Sequence, residues 1–134
     1  MGESEITRTG LSEPTSIAGR YTVMEKLGQG GMGRVYSAHD SILDRTVAVK
    51  ILFGTNIPQD YWKRFQMEAK AASKLKHPSI VQVLDFGVFD DEQPFLVMEY
   101  MKGKTLEDLL AEEGRLPLKD AISIVEQVCI GMEH

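Results

Sequence analysis

Three glycines, Gly28, Gly30 and Gly33, lie between two stretches of high β-propensity, and their spacing is the first feature that indicates chemistry. A glycine-rich turn between strands brings backbone close to a bound phosphate without steric hindrance from side chains. The same spacing opens a helix in dinucleotide-binding folds, but residues 34–38 have the composition of a strand. An ordinary glycine-rich hairpin turn is the structural alternative.

Lys50 follows the apolar residues 47–49 in a predicted strand next to the glycine turn, where its side chain can point inward beneath the glycines. A buried ammonium group keeps its charge only beside anions, and phosphate oxygens and a carboxylate are suitable partners. Glu68, near the middle of a predicted helix, can supply that carboxylate. The structural alternatives are a solvated strand end for Lys50 and a solvated helix face for Glu68.

The elements that position these residues follow from hydrophobic periodicity and turn residues. Strand-like segments surround the glycines and Lys50, and two later apolar runs joined by a polar loop predict a hairpin. An apolar stripe predicts the helix that carries Glu68, and His77–Pro78 ends it because the residue before proline avoids helical backbone. The predicted strands are 21–27, 34–39, 46–52, 80–89 and 94–100, and the predicted helices are 60–75, 106–112 and one that starts near Pro117.

The last predicted helix has a wide apolar face that continues to the end of the sequence without a capping signal. Such a face needs a partner to bury it, and no residues follow His134 to supply one. Periodicity alone therefore predicts that the sequence is truncated. The stripe consists of Leu118, Ala121, Ile122, Val125, Val128, Cys129 and Met132.

Composition and charge exclude several classes of protein. The 134 residues are 43% apolar and carry a net charge of −5, which excludes wholesale disorder and argues against a general nucleic-acid binder. A single cysteine, Cys129, excludes an internal disulfide framework and favours a cytoplasmic setting. The sequence has neither an apolar run of membrane-spanning length nor a signal peptide. Residues 1–19, rich in Ser, Thr and Gly, predict a flexible tail or a phosphoacceptor segment.

Taken in order, these motifs resemble the N-terminal lobe of the protein kinases. The sequence from Leu27 to Tyr36 is most similar to that of bacterial serine/threonine kinases of the eukaryotic type. The resemblance covers roughly residues 20–134. The motifs that carry it are Gly28-x-Gly30-x-x-Gly33-x-Val35, Val47-Ala48-Val49-Lys50, the helical Glu68, His77-Pro78-x-Ile80-Val81 and Met98-Glu99-Tyr100.

The resemblance implies an α+β fold, with a five-stranded antiparallel sheet and one packed helix. It implies a flexible tail at 1–19, a kinase N-lobe with its hinge at 20–101 and the incomplete start of a helical C-lobe at 102–134. It also implies ATP and Mg²⁺ as cofactors and a protein substrate. N-lobe homodimers occur in some relatives and are a further implied partner.

The resemblance also assigns roles to residues. The glycines would cover the ATP phosphates, and Lys50 would hold the α- and β-phosphates and pair with Glu68 when the helix swings inward. Lys50 and Glu68 are thus the implied catalytic residues, and no metal ligand is implied in these residues. The full implied nucleotide-binding set is Leu27, Gly28, Gln29, Gly30, Gly31, Met32, Gly33, Val35, Ala48, Lys50, Met98, Glu99, Met101 and Thr105.

Within that set, Val35 and Ala48 would enclose the adenine ring. The Glu99 carbonyl and the Met101 amide would hydrogen-bond its edge, with Met98 behind it as gatekeeper. Thr105 falls near the position where the family contacts ribose.

Two triplets imitate other motifs. Residues 85–87 spell Asp-Phe-Gly, but the metal-binding triplet of the family follows the hinge, so we interpret Asp85 as a strand-end residue. Residues 103–105 spell the end of a P-loop, but position 98 is Met98 where that motif needs glycine, so we interpret them as a turn.

The sequence contains no His-Arg-Asp or Tyr-Arg-Asp catalytic loop and no later Asp-Phe-Gly, which the family uses to accept the hydroxyl proton and to bind metal. We therefore predict that these 134 residues alone show no kinase activity. The alternative function is a non-catalytic, pseudokinase-like module that binds nucleotide or acts as a scaffold.

Overall fold

The computed structural model describes residues 14–53, 58–90 and 93–133, where six strands and three helices form an α+β fold. The strands are β1 Ser16–Ile17, β2 Tyr21–Gln29, β3 Gly33–Asp40, β4 Arg45–Leu52, β5 Val83–Phe89 and β6 Gln93–Glu99, and the helices are α1 Gln59–Ser73, α2 Leu106–Glu113 and α3 Leu118–Met132. All strands pair antiparallel in the order β1-β2-β3-β4-β6-β5. The predicted α+β class is confirmed.

The predicted number of five strands is wrong, because β1 adds a sixth. Ser16 pairs with Thr22 and Ile17 with Tyr21, inside the segment that we predicted to be a flexible tail. Ile17 is fully buried in the main core, and that burial holds the short strand in place. Residues 1–13 of the predicted tail lie outside the described residues.

The three central strands β3, β4 and β6 have one fully buried face, which we call the closed face. Side chains directly opposite each other across antiparallel strands share a face. Tyr36 pairs with Val49, and Val49 pairs with Val97, so all three lie on the closed face. Each is at most 1% exposed. The core cluster of this face is Ile17, Tyr21, Tyr36, Ala38, Val47, Val49, Ile51, Phe95 and Val97.

A charged cluster closes one end of this core. The buried Asp40 carboxylate accepts hydrogen bonds from Arg20 Nε at 2.9 Å and Nη2 at 2.8 Å and from two backbone N–H groups of the following turn. These donors hold the pKa of Asp40 well below its usual range, with the Arg20 hydrogen bonds the largest cause. The Tyr21 hydroxyl donates to Asp85 Oδ2 at 2.7 Å, and burial is the main reason that the pKa of Tyr21 is raised.

The helices differ in how they are held. α1 packs on β5, where Phe65 meets Phe86 edge to face with ring centroids 6.3 Å apart. α2 begins with a capping box in which Thr105 accepts from the Asp108 backbone and Asp108 accepts from the Thr105 backbone. α3 leaves much of its predicted apolar stripe in solvent, with Met132 82% exposed. Within the described ranges, none of these helices is long and apolar enough to cross a membrane.

Candidate functional site

The second face of the central strands, which we call the open face, gathers most of the predicted nucleotide-binding side chains. Val35 on β3 lies opposite Lys50 on β4, and Lys50 lies opposite Leu96 on β6. One pair further along, Ala48 lies opposite Met98. Register alone therefore places four predicted residues on one surface.

The burial of the open face differs from that of the closed face. Val35, Lys50 and Met98 are half-buried, and Ala48 is 7% exposed. Apolar residues thus flank a partly exposed lysine across three adjacent strands. Such a surface can cover the flat apolar face of a heterocycle while it offers a positive charge to an anion.

The glycine turn joins β2 to β3 at the edge of this face, as the sequence predicted. The Gly30 N–H donates to the Gly33 carbonyl at 3.0 Å, which closes the turn. A Cβ atom on Gly33 would lie 2.2 Å from the Ile51 carbonyl oxygen, so this glycine is required by close backbone packing. At Gly28, Gly30 and Gly31, a Cβ atom would meet nothing within 4 Å. The space beside these three is open to a ligand.

The remaining residues of the turn are exposed. Leu27 is 44% exposed at a register shift in β2, and Met32 is 66% exposed. Gln29 pairs with Arg34 where β2 meets the turn. The Met32 carbonyl accepts from the Phe53 N–H at 3.0 Å, which ties the turn to the end of β4.

The structure does not bring Lys50 and Glu68 together. Both belong to the described part of the chain, and no ion pair joins them there. Glu68 is exposed on α1, whose packing against the sheet is through β5.

The predicted hinge begins at the end of β6, where hydrogen bonds hold Glu99 in place. The Glu99 N–H donates to the Gln82 carbonyl at 3.0 Å, and a Glu99 carboxylate oxygen accepts from the Gln82 N–H at 2.9 Å. Met101 is 61% exposed. The Thr105 hydroxyl caps α2 by accepting from the Asp108 N–H at 3.0 Å. Its predicted contact with ribose would have to share that oxygen.

The two imitating triplets have structural positions of their own. Asp85 lies within β5, beside a register shift, and faces Tyr21 and Arg20 rather than the open face. Residues 103–105 form the bend before α2, and Gly103 has a φ of 124°. Among the residues that the structure describes, no three His, Cys, Asp or Glu side chains are grouped to hold a metal ion.

Sequence reasoning missed two residues of the open face. Leu96 lies opposite Lys50, and Ser37 lies opposite Ala48. Alternation along β6 places Leu96 on the same face as Met98, so strand periodicity was the signal that could have identified it. The Glu99 side-chain contact had no such signal, because its partner is a backbone group distant in sequence.

Comparison with known proteins gives a consistent result. The family model described as protein kinase domain matches residues 21–134. The chain is 44% identical over 119 residues to serine/threonine-protein kinase PrkC of Bacillus subtilis, covering 88% of this chain and 18% of that protein. It is 42% identical over 114 residues to serine/threonine-protein kinase pkn3 of Myxococcus xanthus, covering 84% and 21%.

Solved structures agree with the sequence relatives. The crystal structure of the Mycobacterium tuberculosis PknI kinase domain matches with a TM-score of 0.74 and 29% identity, covering 90% of this chain and 50% of that one. The predicted kinase-like fold of the sheet and helices is thereby confirmed. The chain spans about a fifth of the length of PrkC and pkn3 and half of the solved domain.

Proposed function

Because the chain belongs to the protein kinase family, we propose that it is the ATP-binding portion of a serine/threonine protein kinase. The observation that carries the proposal is the open face, where Val35, Ala48 and Met98 surround Lys50 beside the glycine turn. The serine/threonine specificity is supported by the names of PrkC and pkn3. The complete protein would transfer the γ-phosphate of ATP to protein hydroxyl groups.

The residues present fit a nucleotide. Val35 and Ala48 would hold the adenine ring, and the backbone at Met101 would bind its edge. Lys50 would neutralise phosphate charge, and the N–H groups of the glycine turn would lie over the phosphates. ATP supplies the phosphoryl group, and the chain positions it and screens its charge.

Mg²⁺ would have to be held by the nucleotide itself in this part of the chain. No group of acidic or histidine side chains in the described ranges suits Mg²⁺. We therefore expect nucleotide binding by this chain to change less than about twofold when EDTA replaces Mg²⁺, because residues 14–53, 58–90 and 93–133 offer no such group to hold the metal.

The 134-residue chain is proposed to be inactive alone, since phosphoryl transfer needs a catalytic-loop Asp and metal ligands that its sequence lacks. Transfer of labelled phosphate from ATP to a generic basic protein by the purified chain would contradict this. The second candidate function is a non-catalytic nucleotide-binding or scaffolding module, which needs no ion pair between Lys50 and Glu68. Reading the gene past the codon for His134 separates the two: a catalytic-loop Asp and a later Asp-Phe-Gly would identify a working kinase.

Titration with ATP tests the site directly. We expect calorimetry and thermal shift to show ATP binding, and Lys50→Ala to weaken it by about tenfold or more because a phosphate contact is lost. Lys119→Ala, at an exposed lysine on α3, is the matched control and should bind like the parent chain. Equal ATP affinity in the parent and Lys50→Ala would refute the assignment of Lys50.

Glu68 provides a second test, in which ATP affinity is expected to stay nearly unchanged. Because it makes no ion pair with Lys50 in this structure, Glu68→Gln should leave ATP affinity within about twofold. A loss as large as that of Lys50→Ala would show that the pair forms when nucleotide binds.

The predicted cytoplasmic setting and N-lobe homodimer stay predictions, and light scattering of the purified chain tests the dimer.

A further inference from the structure

The end of β6 is tied to the segment before β5 by both the backbone and the side chain of one residue. The Glu99 N–H donates to the Gln82 carbonyl at 3.0 Å. In return, the Gln82 N–H donates to Glu99 Oε1 at 2.9 Å. These two hydrogen bonds join the same two residues in opposite directions, and we call them the clamp. The clamp fixes Glu99 at the point where the predicted hinge begins.

The Glu99 side chain lies on the face of the sheet that does not carry the candidate site. Glu99 lies opposite Val47 on β4, in the row of closed-face residues that includes Val97. Met98, between Val97 and Glu99, lies on the open face because side chains alternate along a strand. The Glu99 carboxylate is therefore directed away from a base held on the open face and can affect it only through the backbone.

The surroundings of the carboxylate explain why it is bound to the backbone. Glu99 is half-buried and lines a cavity of about 290 Å³ between residues 78–81 and α3. The other described residues that line this cavity are uncharged, and most are apolar. A carboxylate in such surroundings needs a hydrogen-bond donor, which the Gln82 N–H supplies. The carboxylate at position 99 thus has a use in the clamp that an apolar side chain lining the same cavity would lack.

We propose that Glu99 is a positioning residue for the base of the nucleotide, because its clamped side chain fixes the orientation of the hinge backbone. The inference rests on the proposed function and on the implied role of the Glu99 carbonyl as acceptor for the 6-amino group of adenine. Hydrogen bonds weaken steeply as their geometry departs from linear, so a carbonyl that can rotate accepts this bond less well. A carbonyl fixed in advance binds the amino group without the cost of ordering it. The clamp therefore favours adenine over a purine that lacks the amino group.

The test compares ATP with purine riboside triphosphate, which differs from ATP only in lacking the 6-amino group. We expect calorimetry to show that the purified chain binds ATP about fivefold more tightly, as one net hydrogen bond predicts. Glu99→Ala should bring the two affinities to within about twofold of each other, mainly by weakening ATP binding. A substitution that acts on folding alone would weaken binding of both nucleotides equally and leave their ratio unchanged.

Further variants separate the hydrogen bond from charge. Glu99→Gln keeps an acceptor oxygen at the same reach and should retain the affinity ratio of the parent chain. Glu99→Asp keeps the charge but is shorter by one methylene group, so its ratio should fall, and it tests the proposal even if Glu99→Ala does not fold. Glu126→Ala, which removes an exposed carboxylate from α3, is the matched control and should keep the parent ratio. Circular dichroism identifies the variants that are folded.

The outcomes distinguish this proposal from the proposed function. If the parent prefers ATP and the ratio is unchanged in folded Glu99→Ala or Glu99→Asp, the role of Glu99 is refuted while the nucleotide site stands. Loss of the ratio in Glu99→Gln would also refute it, since the acceptor oxygen is still present. Equal binding of the two nucleotides by the parent would show that the hinge carbonyl does not recognise the amino group. Binding of neither nucleotide would refute the proposed function, and this inference with it.

Discussion

The closed and open faces of β3, β4 and β6 share the same backbone and yet have different functions. On the closed face, Tyr36, Val49 and Val97 are at most 1% exposed and fill a core. On the open face, Val35, Lys50 and Met98 are only half-buried. Alternate residues of the same strands thus stabilise the fold and form the candidate site, so the two properties can be changed separately by substitution.

The largest effect should come from removing closed-face volume. Ile51→Ala deletes side-chain atoms that are fully buried, and we expect it to lower the free energy of unfolding by about 3 kcal/mol. Leu96→Ala, on the open face, should cost less than about 1 kcal/mol because its site is already partly open. Urea denaturation of both variants measures the difference, and equal losses would remove the distinction between the faces.

The glycine turn gives a second, smaller contrast. Gly33→Ala places a methyl group against the Ile51 carbonyl, and relief of that clash should cost about 2 kcal/mol of unfolding free energy. Gly31→Ala has open space and should change stability by less than about 0.5 kcal/mol. Thermal unfolding compares the pair, and similar midpoints would show that the turn can move away from β4.

The charged end of the closed face should depend on pH. The pKa of Asp40 is lowered in the folded chain, so its contribution to stability is present above the unfolded pKa near 4 and is lost as the pH falls below it. Asp40→Asn should cost about 2 kcal/mol at pH 7 and reduce the loss of stability between pH 5 and 2.

Asp44→Asn is the control for this acid loss. Its carboxylate is 90% exposed and contacts His39, so the variant should follow the parent curve. If the Asp40 and Asp44 variants lose stability in acid alike, the charged end makes no specific contribution to the pH dependence of stability. The raised pKa of Tyr21 predicts a second change in stability, at alkaline pH. Because the fold favours the neutral hydroxyl, the free energy of unfolding should fall as the pH rises above about 10.

Local patterns were sufficient to predict most of the fold. Alternation and turn residues placed five strands, and apolar spacing placed α1 within two residues of its observed ends. Ser16 and Ile17 were missed because a two-residue strand has no periodicity, and only the core shows why Ile17 is buried. The predicted start of a strand at Ile80 was early, since β5 begins at Val83.

The candidate site was predictable to the extent that it depends on strand register. Val35, Ala48, Lys50 and Met98 share a face because strands alternate, and alternation is visible in the sequence. The distance between Lys50 and Glu68 depends on where α1 packs, which no local pattern determines. The link between Arg20, Asp40 and Asp85 likewise joins residues that are far apart in sequence.

The strand order also has a consequence for the folding rate. β1 to β4 pair with their neighbours in sequence, so their contacts close short loops and can form early. The pairing of β4 with β6 closes a much longer loop that contains α1 and β5, so we expect this boundary, which we call the seam, to form last. The open face crosses that seam, with Lys50 and Ala48 on one side and Leu96 and Met98 on the other. A molecule bound there would hold together the two parts of the sheet that the chain joins latest.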